Sequence, residues 1–250
     1  ILLDVQMPGQ DGFDVISELK MDPALRHIPV IFITGEVLPE IESHCLEAGA
    51  ADYIAKPVTP RVLQARARTH LLLKQQADML ADLSFLDPLT AAMNRPAFAQ
   101  MFAAECGRAS AHHRPLSLLL VDIDEFAAYN QTYGYSAGDD ALIAVVRATQ
   151  GIAQRPGDVV ARTSGERLAV LLPETQAPQA SAIADRICQS VRELGMRHGK
   201  STTSDVVTVS VGTATATDGV TPERLQGSAE EALRTAKATG RNRVNSAAPL

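Results

Sequence analysis

From Arg61 to about Leu86 no glycine or proline interrupts the chain. A stretch of that length without a breaker reads as one long helix, and it divides the 250 residues into two parts. Within it Leu72, Met79 and Leu86 recur every seven residues, with Leu83 at an intermediate core spacing. That is the pattern of a short coiled-coil seam. The stripe suits a helix packed on its own domain and a contact between two copies equally well. The expected division is a first domain over residues 1–60, a linker helix over 61–86 and a second domain over 87–250.

The first part alternates strand and helix. "ILLDV" is a short buried strand, "DGFDVISELKMD" has helical spacing at Phe13, Ile16 and Leu19, and "IPVIFIT" is a β-branched strand. "EIESHCLEAGA" is a helix ending near Gly49, and "DYIAKP" a strand ending at Pro57. This order implies a parallel sheet with its chemistry at the carboxyl ends of the strands. Asp4, Thr34 and Lys56 close three successive strands and so meet on one edge. A carboxylate, a hydroxyl and an ammonium there can accept, hydrogen-bond and neutralise a phosphoryl group. Singly they read as a turn cap, a β-former and a solvated cation. Jointly, with Met7-Pro8 and Gly49-Ala50, they point to the phosphoryl site.

The second part is expected to contain the strands "LSLLLVDI", "VVARTS", "RLAVLLP" and "VVTVSVGTATA". Helices are expected over about 94–108, 125–133, 138–153, 176–195 and 228–238, with the tail "NSAAPL" frayed. Its strand "LLLVDI" delivers Asp122 and Asp124 at its end. Asp122 and the Ile123 carbonyl offer hard oxygen ligands to an ion such as Mg²⁺. Asn130 and Asp139 suit the edge of a guanine, because an amide both donates and accepts while a carboxylate accepts from ring N–H groups. Turn and cap roles explain the same residues. The hairpin "VVARTS–GE–RLAVLLP" carries Gly165, whose backbone freedom permits close approach to phosphates. Glu166 at its tip is placed to meet Asp122 across a metal. Lys237 and Arg241, four residues apart at the end of a helix, are expected to share one face and clamp a triphosphate, or to complement the helix dipole.

Bulk properties exclude several classes. A net charge of -6 disfavours a nucleic-acid backbone as partner. The three cysteines, Cys45, Cys106 and Cys188, are odd in number and have no metal spacing, which points to a reducing, cytoplasmic setting. No apolar run approaches the roughly 18 residues of a membrane span, and no signal peptide is visible. The chain opens at Ile1 inside an apolar run without Met, so the natural N-terminus is expected to lie upstream.

The Asp4, Thr34 and Lys56 set resembles the second half of the receiver domain of bacterial response regulators. The resemblance implies Asp4 as phosphoacceptor, Thr34 as switch hydroxyl and Lys56 as the lysine partner. It also implies a histidine kinase or phosphotransfer protein as phosphodonor to the full-length parent. The strand carrying that family's acidic pair is absent, so the chain as written is not expected to be phosphorylated. Residues 84–245 resemble the GGDEF domain, the diguanylate cyclase fold, through "DPLTAAMNRPAF", "DIDEF…N…G…GD", "VSVGTA" and "AKATGRN". The resemblance implies an α+β domain with a ferredoxin-like core after the receiver-like parallel sheet. It implies GTP bound with Mg²⁺ or Mn²⁺, and a homodimer whose two domains join two GTP into cyclic di-GMP.

The family pattern Gly-Gly-Asp/Glu-Glu-Phe reads here Ser164-Gly165-Glu166-Arg167-Leu168. Glu166 is retained and Arg167 replaces a glutamate, a swing of two charge units beside a divalent ion. Gln131, Tyr135 and Ala127 are further departures. At an effective dielectric of about 20, a unit pair at 4 Å is worth roughly 4 kcal/mol. Turnover is therefore expected to fall by about three orders of magnitude or more. The resemblance also makes "RPGD" a product-binding RxxD site, with Arg155 forking onto phosphate and guanine and Asp158 accepting from base N–H groups. Arg186 and Arg108 are implied as its additional arginines. The expected function is a cyclic di-GMP receptor with little or no turnover that presents a surface to a protein effector. The alternatives are an active cyclase inhibited through RxxD, and a GTP-binding pseudoenzyme in which Arg167 contacts phosphate oxygens.

Overall fold

The computed structural model describes residues 1–7, 10–22, 25, 27–35, 39–83, 85–217, 219–248 and 250, without the side chains of 10, 39–42 and 77–83. Pro8 of the Met7-Pro8 pair and the seam side chains Met79 and Leu83 lie outside these. The chain divides into two compact units, Ile1–Leu83 and Ser84–Leu250. Among the described residues no helix is long and apolar enough to cross a membrane.

The first unit is built on a parallel three-stranded sheet in the order β1 (Leu2–Asp4), β4 (Ile31–Thr34), β5 (Asp52–Ala55). A short antiparallel pair, β2 (Gln6–Met7) with β3 (Gln10–Asp11), follows β1 and was not foreseen. It leads into α1 (Gly12–Met21), where the Asp11 side chain caps the first turn by accepting from the Phe13 N–H at 3.1 Å. α2 (Pro39–Glu47) precedes β5. Leu3, Ile16, Val30, Phe32, Cys45 and Ala50 form the core. α3 (Pro60–Leu83) is the long helix, and it stops three residues short of Leu86. Leu86 instead bridges Met93 in the second unit. Leu71, Leu72 and Leu73 are more than half exposed, so the stripe at Leu72 is not packed into the unit.

The second unit is a five-stranded sheet in the order β10 (Val244–Ser246), β9 (Val209–Ala216), β6 (Leu116–Ile123), β8 (Arg167–Pro173), β7 (Val159–Ser164). β6 pairs antiparallel with both β8 and β9, and all of its residues are buried. Alternation along β6 sorts its side chains between two cores. Leu119, Val121 and Ile123 face α5 (Phe126–Tyr133), α6 (Tyr135–Ile152) and α7 (Ala177–Glu193). Leu118 and Leu120 face α4 (Arg95–His112) and α8 (Pro222–Ala238).

α8 lies close on β9 because Gly212 has no side chain. A Cβ there would stand 2.2 Å from the Leu233 nitrogen and 2.3 Å from the Ala229 carbonyl oxygen. The strands over 116–123, 159–164 and 167–173 fall where their apolar runs predict, whereas three helices run further. α4 extends to His112, α6 begins at Tyr135, and α8 begins at Pro222 behind a Thr221 cap. The tail is a correction. Its described residues are not frayed: β10 adds parallel to β9, the Ala247 N–H donates to the Thr213 carbonyl at 2.8 Å, and the Leu250 N–H donates to the Thr215 carbonyl at 2.9 Å.

Candidate functional site

The parallel register brings the receiver-like residues to one sheet edge. Asp4, Thr34 and Lys56 end or follow β1, β4 and β5. Lys56 Nζ lies 2.5 Å from Asp4 Oδ2, and the Lys56 N–H donates to the Thr34 carbonyl at 2.7 Å. Asp4 Oδ1 also accepts from the Gln6 N–H at 3.2 Å. The Lys56 ammonium, helped by these bonds, holds the Asp4 carboxyl below its usual range. Thr34 is buried.

The main site forms at the end of β6. Strand alternation puts Asp122 on the α4 and α8 side, where it is 3% exposed. The antiparallel register places Arg167 of β8 directly opposite it and Ser210 of β9 on its other flank. Arg167 Nε donates to Asp122 Oδ2 at 3.2 Å, and Lys237 Nζ on α8 donates to Oδ1 at 2.5 Å. Each oxygen of the carboxylate therefore holds a cation. Two residues on, Asp124 is fully occupied in another way. It accepts from Thr208 Oγ1 at 2.8 Å, Ser210 Oγ at 2.6 Å and the Asn242 N–H at 3.0 Å, tying the end of β6 to β9 and to the turn after α8.

The sequence expectation has Glu166 meeting Asp122 across a metal; in the strand pairing itself Arg167, not Glu166, stands directly opposite Asp122. Glu166 sits at the hairpin tip beside Gly165, half-buried and without a hydrogen bond or ion pair among the described residues. Lys237 and Arg241 do not share a helical face either. α8 ends at Ala238, Gly240 turns at φ 119°, and Arg241 lies beyond with its guanidinium 3.9 Å from Glu125 Oε1.

Asp122 has both oxygens engaged, Ile123 closes β6 opposite Val209, and Glu166 is not the facing residue. Among the described residues no group of three or more His, Cys, Asp or Glu is placed to hold a metal ion. The Asp122 oxygens, each already holding a side-chain cation, do not fit a divalent ion as they stand, and Arg167 is the added charge.

Asn130 and Asp139 come from the adjoining helices α5 and α6. Asn130 Oδ1 is buried with no hydrogen-bond partner, and a Cβ on Gly138 would stand 1.9 Å from it. Gly138 thus makes room for an acceptor that a guanine N–H suits, and Asp139 follows it on α6. Sequence reasoning gave no role to Arg162. Its NH1 stands 3.2 Å from Asp87 Oδ1 and its Nε donates to the Gly165 carbonyl at 2.8 Å. Asp87 Oδ1 also accepts from the Thr90 N–H at 2.8 Å, so the opening motif of the domain holds the hairpin turn. The signal was Asp87 itself, an acidic residue with no assigned partner.

The "RPGD" loop folds on itself. The Arg155 N–H donates to Asp158 Oδ2 at 3.0 Å, and the Asp158 N–H donates to the Arg155 carbonyl at 2.9 Å. The Arg155 guanidinium is exposed and makes no ion pair among the described residues. Burial raises the Asp158 carboxyl above its usual range against the bond from Arg155. Arg186 is exposed on α7, the helix that packs on α6. Arg108 on α4 is paired with Glu105 and lines a cavity of about 190 Å³ with Pro156 and Gly157 of the loop. Arg186 does not line that cavity.

The profile described as "Diguanylate cyclase, GGDEF domain" matches residues 84–243, and that of the response regulator receiver domain matches residues 1–68. The response regulator PleD of Caulobacter vibrioides is 31% identical over 98% of this chain and 55% of its own length, so the chain spans about half of that relative. The crystal structure of the coiled coil and GGDEF domain of DgcB from Caulobacter crescentus, in complex with c-di-GMP, superposes with a TM-score of 0.61 at 28% identity. It covers 75% of this chain and 97% of that one. The diguanylate cyclase SiaD of Pseudomonas aeruginosa, in complex with its activator SiaC, superposes with a TM-score of 0.59 at 29% identity, covering 75% and 71%.

Proposed function

The chain belongs to the GGDEF family, with a response regulator receiver match ahead of that domain, and from this premise we propose that it is a cyclic di-GMP receptor with little or no cyclase turnover. The observation that carries the reading is the Arg167 Nε to Asp122 Oδ2 contact of 3.2 Å. GGDEF domains act through GTP and a divalent metal, and phosphoryl chemistry of this kind depends on metal placement. Here the carboxylate that would face the metal is neutralised from within. The ligand site is the RxxD loop. Arg155 offers an unpaired guanidinium and Asp158 an acceptor, a pair suited to phosphate and to guanine N–H groups. The DgcB structure in complex with c-di-GMP supports the ligand class.

The domain reading assigned to this function is a receiver segment over 1–60, a linker carried by α3 (Pro60–Leu83) and a GGDEF domain beyond it. In the full-length parent Asp4, Thr34 and Lys56 form the phosphoacceptor site, fed by a histidine kinase or phosphotransfer protein. The assembly is a homodimer in which Arg108 and Arg186 complete the ligand site, and its output is a surface for a protein effector in the cytoplasm. The SiaD complex with an activator protein supports protein contact as a mode of control.

Calorimetric titration with cyclic di-GMP tests the reading, beside a turnover assay with GTP and Mg²⁺. Binding that Arg155→Ala abolishes, with no product formed, is the expected result. Product at the rate of an active cyclase, or unchanged affinity in Arg155→Ala, overturns it. A second reading, binding of GTP without turnover, is favoured by the buried, unpartnered Asn130 Oδ1.

A further inference from the structure

We infer that Arg167 is a resident substitute for a divalent cation, so that the Asp122 end of the sheet excludes metal and takes a nucleoside triphosphate as the free anion. This rests on the reading that Arg167 has ended turnover and not on the RxxD loop.

The strand register makes the substitution specific. Directly opposed residues of an antiparallel pair point to the same face with Cβ atoms about 5 Å apart. Position 167 is therefore the position that meets Asp122. A carboxylate as buried as Asp122 must have a counter-charge. A glutamate at 167 would leave two carboxylates side by side and call for an external cation. An arginine at 167 supplies the charge itself, and Lys237 holds the other oxygen. A divalent ion would have to displace one of these cations and then stand beside both.

The same side chains remain able to receive an anion. Arg167 engages Asp122 through Nε alone, and its terminal nitrogens have no partner among the described residues. Arg167 is 39% exposed and Lys237 is 35% exposed, so both reach solvent while anchored. Arg167 borders a cleft of about 430 Å³ between α4 and α8, together with Arg95, Thr163 and Ser164. Arg95 makes no ion pair among the described residues. Glu223 and Glu230 line the α8 side of the same cleft, so a phosphate is received at its Arg167 end, where an anchored guanidinium fork and the Thr163 and Ser164 hydroxyls need no metal.

The test uses the full chain, with GTP titrated calorimetrically in Mg²⁺ and in EDTA, and with Mn²⁺ binding followed by electron paramagnetic resonance. The expected result is a GTP affinity that agrees within about twofold between the two buffers, and no Mn²⁺ signal sensitive to Asp122→Asn. Arg167→Gln, which adds no charge, should weaken GTP binding about tenfold or more without recruiting Mn²⁺. Arg167→Glu should bind Mn²⁺ and require it for GTP. The inference is overturned by a loss of GTP affinity of about tenfold or more on chelation. It is equally overturned by Mn²⁺ binding that Asp122→Asn removes, or by no GTP binding in either buffer. Product assayed in the same Mg²⁺ samples separates the two readings. Cyclic di-GMP formation sinks the receptor reading, whereas metal-dependent GTP binding without product sinks only this one.

Discussion

Arg167 stands directly across the β6–β8 pairing from Asp122, with its Nε 3.2 Å from Asp122 Oδ2. A single position on a hairpin thus sets the charge at the end of the central strand. The hairpin is not loose around it. Arg162 holds the Gly165 carbonyl from one side and Asp87 from the other, so Arg167 has a fixed origin from which to reach Asp122.

Reversing that charge should restore chemistry. Arg167→Glu combined with Ser164→Gly is expected to raise cyclic di-GMP formation from GTP and Mg²⁺ by about tenfold or more. Chromatographic detection of product measures it. No gain would show that Gln131, Tyr135 or Leu168 carries the deficit.

The Asp87 to Arg162 link makes a stability prediction. Asp87→Ala leaves a half-buried guanidinium without its carboxylate and removes the acceptor for the Thr90 N–H. A buried polar group left unpaired costs about 1–3 kcal/mol. For a domain of this size each kcal/mol lowers Tm by about 2–4 °C. Thermal unfolding of Asp87→Ala should show a fall of about 2–12 °C, and an unchanged Tm would mean that water replaces the link at no cost.

The limits of the sequence follow from where the forces act. The continuous apolar run of β6 and the β-branched run of β4 announced buried strands without help, because burial on both faces leaves no polar alternation to misread. Asp4 and Lys56 were legible as partners since parallel strand ends share an edge. Pairing across β6 and β8 was not legible at single-residue precision. A turn shifted by one position exchanges Glu166 for Arg167 opposite Asp122, and composition gives no warning of it. The β10 addition was missed because a three-residue polar strand carries no periodicity, and the sheet edge of β9 supplies its stability. Arg241 was misplaced onto the face of Lys237 because Gly240 ends α8 before it.

Gly212 carries the contact between α8 and β9. A Cβ there meets backbone atoms of Leu233 and Ala229, which cannot swing aside as a side chain would. Gly212→Ala must lift α8 and with it Lys237. Overpacking of this kind costs about 3 kcal/mol. Chemical denaturation should register that loss, accompanied by weaker GTP binding from the displaced lysine. A stability equal to the parent would show that α8 can shift freely.

The RxxD loop makes its own pH prediction. Burial raises the Asp158 carboxyl above the ordinary value of about 3.9. Because the folded value is raised, the contribution to stability is complete below the unfolded value and is lost as pH rises through the folded one. Ligand binding has the opposite sign. Guanine N–H groups need the ionised carboxylate as acceptor, so cyclic di-GMP affinity should fall as pH drops through the raised value. The decline should begin at a higher pH than an exposed aspartate would give. Calorimetry between about pH 4 and pH 7 reads the affinity, and Asp158→Asn should flatten the dependence. Affinity that holds or rises on acidification would remove Asp158 from the binding site, leaving the phosphates to Arg155 alone.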